Sequence, residues 1–215
     1  DLEASLQAMH LWMEDMRRVG YQVFVVASAF AVADMQVILG CLSEAEASLQ
    51  EAIQQAAAMG VEAELVTAHH HLGLALLAYE KGDDAAMAQH LKRAADLGQG
   101  TTLVDWLHRW KLAQARFKES AGEWEAALEH LSEARRVYVR NPIPMLQPVD
   151  AHKARVYLKQ GRLEKALSWL QERGLSVADP VNYLGEYEYL TLARIRLVEG
   201  NFTGVNELLD RLRLA

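Results

Sequence analysis

The sequence predicts an all-α fold: about five antiparallel helix pairs behind one unpaired N-terminal helix, stacked into a right-handed superhelical solenoid whose first helices line the concave side. Glycines stand at Gly40, Gly82, Gly122, Gly161 and Gly200, with separations of 42, 40, 39 and 39 residues, which is a repeat period. An alanine precedes each glycine by seven residues (Ala33, Ala75, Ala115, Ala154, Ala193), and a leucine follows each by nine (Leu49, Leu91, Leu131, Leu170, Leu209). Glycine and proline are sparse, at 13 and 4 residues of 215, which disfavours a strand-rich chain.

The unpaired helix is expected over about residues 2 to 18. The first helices are expected over about 23 to 38, 64 to 80, 104 to 120, 149 to 159 and 184 to 199. The second helices follow over about 43 to 59, 84 to 97, 125 to 139, 163 to 172 and 202 to 213, for eleven in all. The alanine before each glycine admits a close neighbour, and the glycine supplies the positive φ at which a helix ends and the chain reverses. Five residues after each glycine come Ala45, Met87, Ala127, Ala166 and Val205, four before the leucine and on its face of the second helix. Met35, Leu77, Phe117, Val156 and Ile195 hold the matching place five residues before the glycine. Pro142, Pro144, Pro148 and Pro180 fall in two connections, RNPIPMLQP at 140 to 148 and SVADPVN. Proline lacks the amide donor, so neither stretch continues a helix, yet neither breaks the repeat phase. The whole of 1–215 therefore reads as a single solenoid domain, cut from something longer since it opens at Asp1 inside helical pattern.

The formal charge of -7, from 22 basic and 29 acidic side chains spread along the chain, argues against nucleic-acid binding. Cys41 is the only cysteine, which excludes an internal disulfide and fits a cytoplasmic protein. No apolar run reaches the roughly 18 residues that a membrane span needs. The stretch GQGTT at 98 to 102 lacks the lysine of a phosphate-binding loop and no strand precedes it. No residue pattern points to a catalytic group, a cofactor or a metal, and the chain reads as noncatalytic.

The segments AGEWEAALEHLSEA (121 to 134) and QGRLEKALSWL (160 to 170) resemble the second helix of the tetratricopeptide family, with the period lengthened from about 34 residues. The stretch YLGEYEYLTLARIRLVEG, with WLQERGLSVADP before it, resembles the helical-repeat region of MalT-type, ATP-dependent LuxR-family transcription regulators. In that family such a region lies between a nucleotide-binding module and a helix-turn-helix. The resemblance implies a regulatory sensor that binds an inducer, an oligosaccharide in the maltose activator, and that couples binding to self-association or to contacts with other domains of the parent chain. The alternative is a protein-interaction scaffold of the same architecture with no small-molecule ligand.

The repeat phase also selects candidate groove residues. Arg116, Arg155 and Arg194 stand six residues before three successive glycines, where Asp34 and Leu76 stand in the first two repeats. Their guanidiniums suit carboxylates, phosphates or paired hydroxyls, and equally suit ordinary salt bridges. Tyr187, Arg109 and His69 share a second place, thirteen residues before the glycine, where an aromatic or polar side chain could meet a ligand or simply pack. In the triplet His69, His70, His71 adjacent side chains diverge by about 100°, so the three do not converge on one ion. Trp106 and Trp110, with Leu103 and Leu107, read as packing.

Overall fold

The structure, a computed structural model, describes residues 2–99, 105–139 and 147–214, the side chains of 61, 62 and 183 apart. The described residues form helices and connecting turns and contain no strand. The helices are α1 (Leu2–Arg18), α2 (Gln22–Ile38), α3 (Leu42–Met59), the single turn α4 (Val61–Glu64), α5 (Ala68–Lys81), α6 (Asp84–Gly98), α7 (Trp106–Ser120), α8 (Trp124–Arg136), α9 (Val149–Lys159), α10 (Leu163–Arg173), α11 (Glu186–Glu199) and α12 (Val205–Leu214). Eleven helices are expected from the sequence; the additional one arises where the second repeat opens. There the chain passes from α4 to α5 through a 3₁₀ turn, Leu65–Thr67, and the Thr67 hydroxyl donates to the Glu64 carbonyl at 2.7 Å. Most of the loop read over 140 to 148, with Pro142 and Pro144, lies outside the described residues, as do residues 100 to 104 with Leu103 and most of GQGTT.

The architecture is that of paired antiparallel helices, and the repeat positions account for its packing. Ala33, Ala75, Ala115, Ala154 and Ala193 are at most 3% exposed, as are Ala45, Met87, Ala127, Ala166 and Val205. Leu49, Leu91, Leu131 and Leu170 are buried too, each worth about 1.5–3 kcal/mol when removed from water. In the last pair the register slips by one residue: Leu208 is fully buried and Leu209 only partly. All five period glycines have positive φ, between 70° and 78°, the left-handed conformation that ends each first helix without a Cβ penalty.

The chain divides into two compact units, Asp1–Ala121 and Gly122–Ala215, with the division between the two helices of the third period. In unit 1 the α1 side chains Leu6, Met9 and Met16 close over Val25, Val26, Ala29, Val32, Ala52 and Ala56. Further along, Leu72, Ala75, Met87, Leu91, Ala94 and Ala113 form a second core, against which Trp106 and Trp110 pack as a near-parallel pair with centroids 5.8 Å apart. Gly98 makes room for this: a Cβ there would run into the Trp106 ring. In unit 2 the core joins α9, α10, α11 and α12 through Ala154, Ala166, Leu170, Leu192, Ile195 and Leu208.

Candidate functional site

The first helices of unit 1, α2, α5 and α7, bring together residues far apart in sequence. Arg109 lies on α7, with Nη1 donating to Asp34 of α2 and Nε donating to Asp105 one turn before it, both at 2.7 Å. Its guanidinium also sits over the Phe30 ring, 5.1 Å from the centroid. Burial opposes the charge of Arg109, but the two carboxylates outweigh it and hold its pKa above the ordinary arginine value. Burial likewise opposes ionisation of Asp105, and the hydrogen bond and charge of Arg109, with His69, turn the balance and hold the carboxyl below its usual range.

His69 lies beneath this network at 2% exposure, between Phe30 (centroids 4.8 Å apart) and Trp106 (5.8 Å). Its Nε2 comes within 3.4 Å of the Asp105 carboxylate, yet neither ring nitrogen has an aligned hydrogen-bond partner. Burial first, and then the Arg109 charge, push its pKa down to about 4 against the pull of Asp105. At neutral pH the ring is therefore uncharged, and its approach to Asp105 is a contact between a dipole and an ion.

Unit 2 uses its arginine differently. Arg155 of α9 places its guanidinium carbon over the Tyr187 ring of α11, 3.5 Å from the centroid, while Nε donates to Thr191 Oγ1 at 2.7 Å and Nη2 to the Tyr187 carbonyl at 2.9 Å. Two sequence-selected residues thus meet each other. Tyr187 is 9% exposed, and its hydroxyl is buried without a hydrogen-bond partner. Next to this contact, Arg173 of α10 grips Glu188 with two bonds of 2.6 and 3.0 Å. Arg116, in unit 1, stacks at 5.2 Å on Tyr79, while Arg194 in unit 2 is exposed on α11.

A positional rule connects these contacts. The residue six before one period glycine meets the residue thirteen before a later one: Arg155 with Tyr187 in the next period, and Asp34 with Arg109 two periods on. Sequence reasoning selects Arg109, His69, Arg155 and Tyr187 but not their partners Phe30, Asp105 and Thr191; Asp34 appears only as an equivalent of the arginines. The alternation of acid and base at paired repeat positions is the signal that points to Asp34. Among the described residues no group of three or more His, Cys, Asp or Glu side chains is arranged to hold a metal ion, and no helix is long and apolar enough to cross a membrane.

The fold has counterparts among solved structures. The crystal structure of BtubC (BKLC) from P. vanneervenii is similar over 99% of this chain and 90% of its own, with a TM-score of 0.57 and 17% identity. A Podosopora anserina chain assigned as a kinesin light chain with nearly identical TPR-like repeats is similar over 87% of this chain and 92% of its own, with a TM-score of 0.52 and 18% identity. No curated protein matches the sequence. A family model described as the MalT-like TPR region matches residues 1–214, across both units. With its period glycines, buried alanines and paired helices all in place, the chain belongs to the MalT-like TPR family, a protein-interaction region.

Proposed function

We propose that residues 1–215 act together as the regulatory sensor of a MalT-like, LuxR-family transcription regulator in the cytoplasm. In this reading an inducer or partner engages the first-helix face and shifts the parent protein toward self-association or a new contact with its other domains. The observation that carries the reading is the unit 1 face itself. Phe30, Asp34, His69, Asp105 and Arg109 bring an aromatic surface, fixed donors and acceptors, and an unpartnered imidazole together at the first helices α2, α5 and α7. Pockets that recognise polar ligands combine these elements. Its net charge of -1, one arginine against two carboxylates with His69 neutral, suits a neutral polyhydroxylated ligand better than an anion. An oligosaccharide inducer fits that chemistry, as the family resemblance also implies. The groove roles of Arg116, Arg155, Arg194 and Tyr187 belong to the same proposal, with exposed Arg194 the most accessible of the four. Coupling requires that the ligand bind the two states of the regulator unequally.

One observation favours the second reading, a scaffold for protein partners alone. Leu11, Val19, Tyr21 and Phe24 of unit 1 are 56–63% exposed, an apolar surface of the kind that meets another protein. Calorimetric titration of the isolated region with malto-oligosaccharides, followed by a wider metabolite panel, distinguishes the two. The sensor reading expects a saturable ligand whose affinity falls about tenfold or more in Asp34→Ala and Arg109→Ala. A ligand that binds both variants as it binds the parent would place recognition elsewhere, and absence of any small-molecule ligand would favour the scaffold.

A further inference from the structure

The histidine triplet opening α5 sends its three rings to three places. His69 faces Phe30 and Trp106, and His70 meets the Val26 carbonyl through Nε2 at 2.8 Å. His71 turns instead toward α6, where its Nδ1 lies 3.1 Å from Nδ1 of His90. The two rings are partly buried, 5.4 Å apart between centroids and inclined by 33°. Two nitrogens facing each other need one proton between them, or one cation.

We propose that His71 and His90 form a two-imidazole chelate for a divalent late-transition-metal ion, of the class Zn(II), Ni(II) or Cu(II). An ion about 2.0–2.1 Å from each nitrogen would subtend an angle of about 100° at their observed 3.1 Å spacing, between square-planar and tetrahedral values. The spacing fits the bite of one ion once each ring swings by about 40°, because centroids 5.4 Å apart leave the two nitrogens on the line that joins the rings. Imidazole is a ligand for all three metals, and water completes the coordination, since no third protein ligand converges here among the described residues. The surrounding charges are already committed. Glu46 of α3, whose field favours a cation at His90, accepts from Lys81 at 2.6 Å; Arg93, which opposes one at His71, is tied to Glu64 at 2.6 Å. Burial, then His90 and Arg93, push the His71 pKa down to about 4, and burial lowers that of His90 against Glu46, so both rings are neutral at pH 7. On metal binding the single proton shared between the Nδ1 atoms moves to Nε2 of its own ring, and both lone pairs face the ion.

Titration of chelator-stripped protein with ZnCl2 and with CuSO4 at pH 7.5 tests the site. The chelate expects one ion per chain, lost by about tenfold or more in affinity in either His71→Gln or His90→Gln, and kept in His10→Gln, which removes an exposed competitor. Cu(II) EPR of the parent should show two equatorial nitrogens, and each single variant one. Wild-type binding in both variants, or binding abolished by His10→Gln, would overturn the proposal. Should either variant fail to fold by circular dichroism, nitrogen-detected NMR of the parent decides: zinc must shift Nδ1 of both His71 and His90, and unshifted resonances refute the site.

Discussion

The two units answer one structural problem, an arginine half-buried on a first helix, with different chemistry. In unit 1 Arg109 is neutralised by Asp34 and Asp105. In unit 2 Arg155 meets a ring face, a hydroxyl and a carbonyl. The first arrangement is built from full charges and is open to salt, to a competing ligand and to pH through its neighbour His69. The second adds a cation–π contact and hydrogen bonds to a hydroxyl and a carbonyl, which fasten α9 to α11. The same repeat positions therefore hold a two-carboxylate network in one unit and an aromatic and hydroxyl contact in the other.

The largest expected effect tests what both units share. Ala193→Asp places a charge at a 3% exposed helix contact in unit 2 and should cost about 4 kcal/mol or more, removing the cooperative melting of that unit. Calorimetry reads the loss, and an unchanged transition would contradict the close approach assigned to the repeat alanines.

Acid should separate the units next. His69, His70 and His71 of unit 1 are each held near pKa 4 chiefly by burial, against 6.5 when unfolded. The unfolded chain takes up protons first, so their contribution is full above about pH 6.5 and is lost as pH falls toward 4. After discounting the more open His71, unit 1 should lose about 3 kcal/mol between pH 7 and pH 5. Hydrogen exchange at the two pH values should show the loss in α5 and not in α11; equal losses in both would remove the contrast.

The arginines themselves give the smallest and sharpest comparison. Arg109→Ala and Arg155→Ala should each cost about 1–2 kcal/mol in urea unfolding, and 1 M NaCl should shrink the first. Removing Arg109 also removes a charge that lowers the His69 pKa, so that value should rise from about 4, as read by NMR titration. An unmoved His69 would mean that the network is not electrically coupled.

Much of the fold was legible because packing repeats. A glycine in the left-handed conformation, an alanine at a helix contact and a leucine in the core recur with fixed spacing, and each residue type follows from a local constraint. The register slip at Leu208 was not legible, since neighbouring leucines at 208 and 209 satisfy the pattern equally well. Site residues were half legible for a related reason. Position in the repeat indicates which side chains share a place on the first helices, and so picks out Arg109 and Tyr187. It does not indicate which residue of another helix lies opposite, a matter of relative helix placement in space. Asp34 and Arg109 are 75 residues apart, and the His71–His90 contact joins two helices whose histidines share no repeat position.

The bond from Asp34 to Arg109 has a thermodynamic meaning beyond recognition. A linear repeat array behaves like a one-dimensional Ising chain, in which each element is coupled only to its neighbours and the ends fray independently. A contact that passes over the intervening period adds a next-nearest-neighbour term. The first helices α2, α5 and α7 then gain or lose order together, so whatever loosens Arg109 is felt at α2 without a relay through each helix in turn.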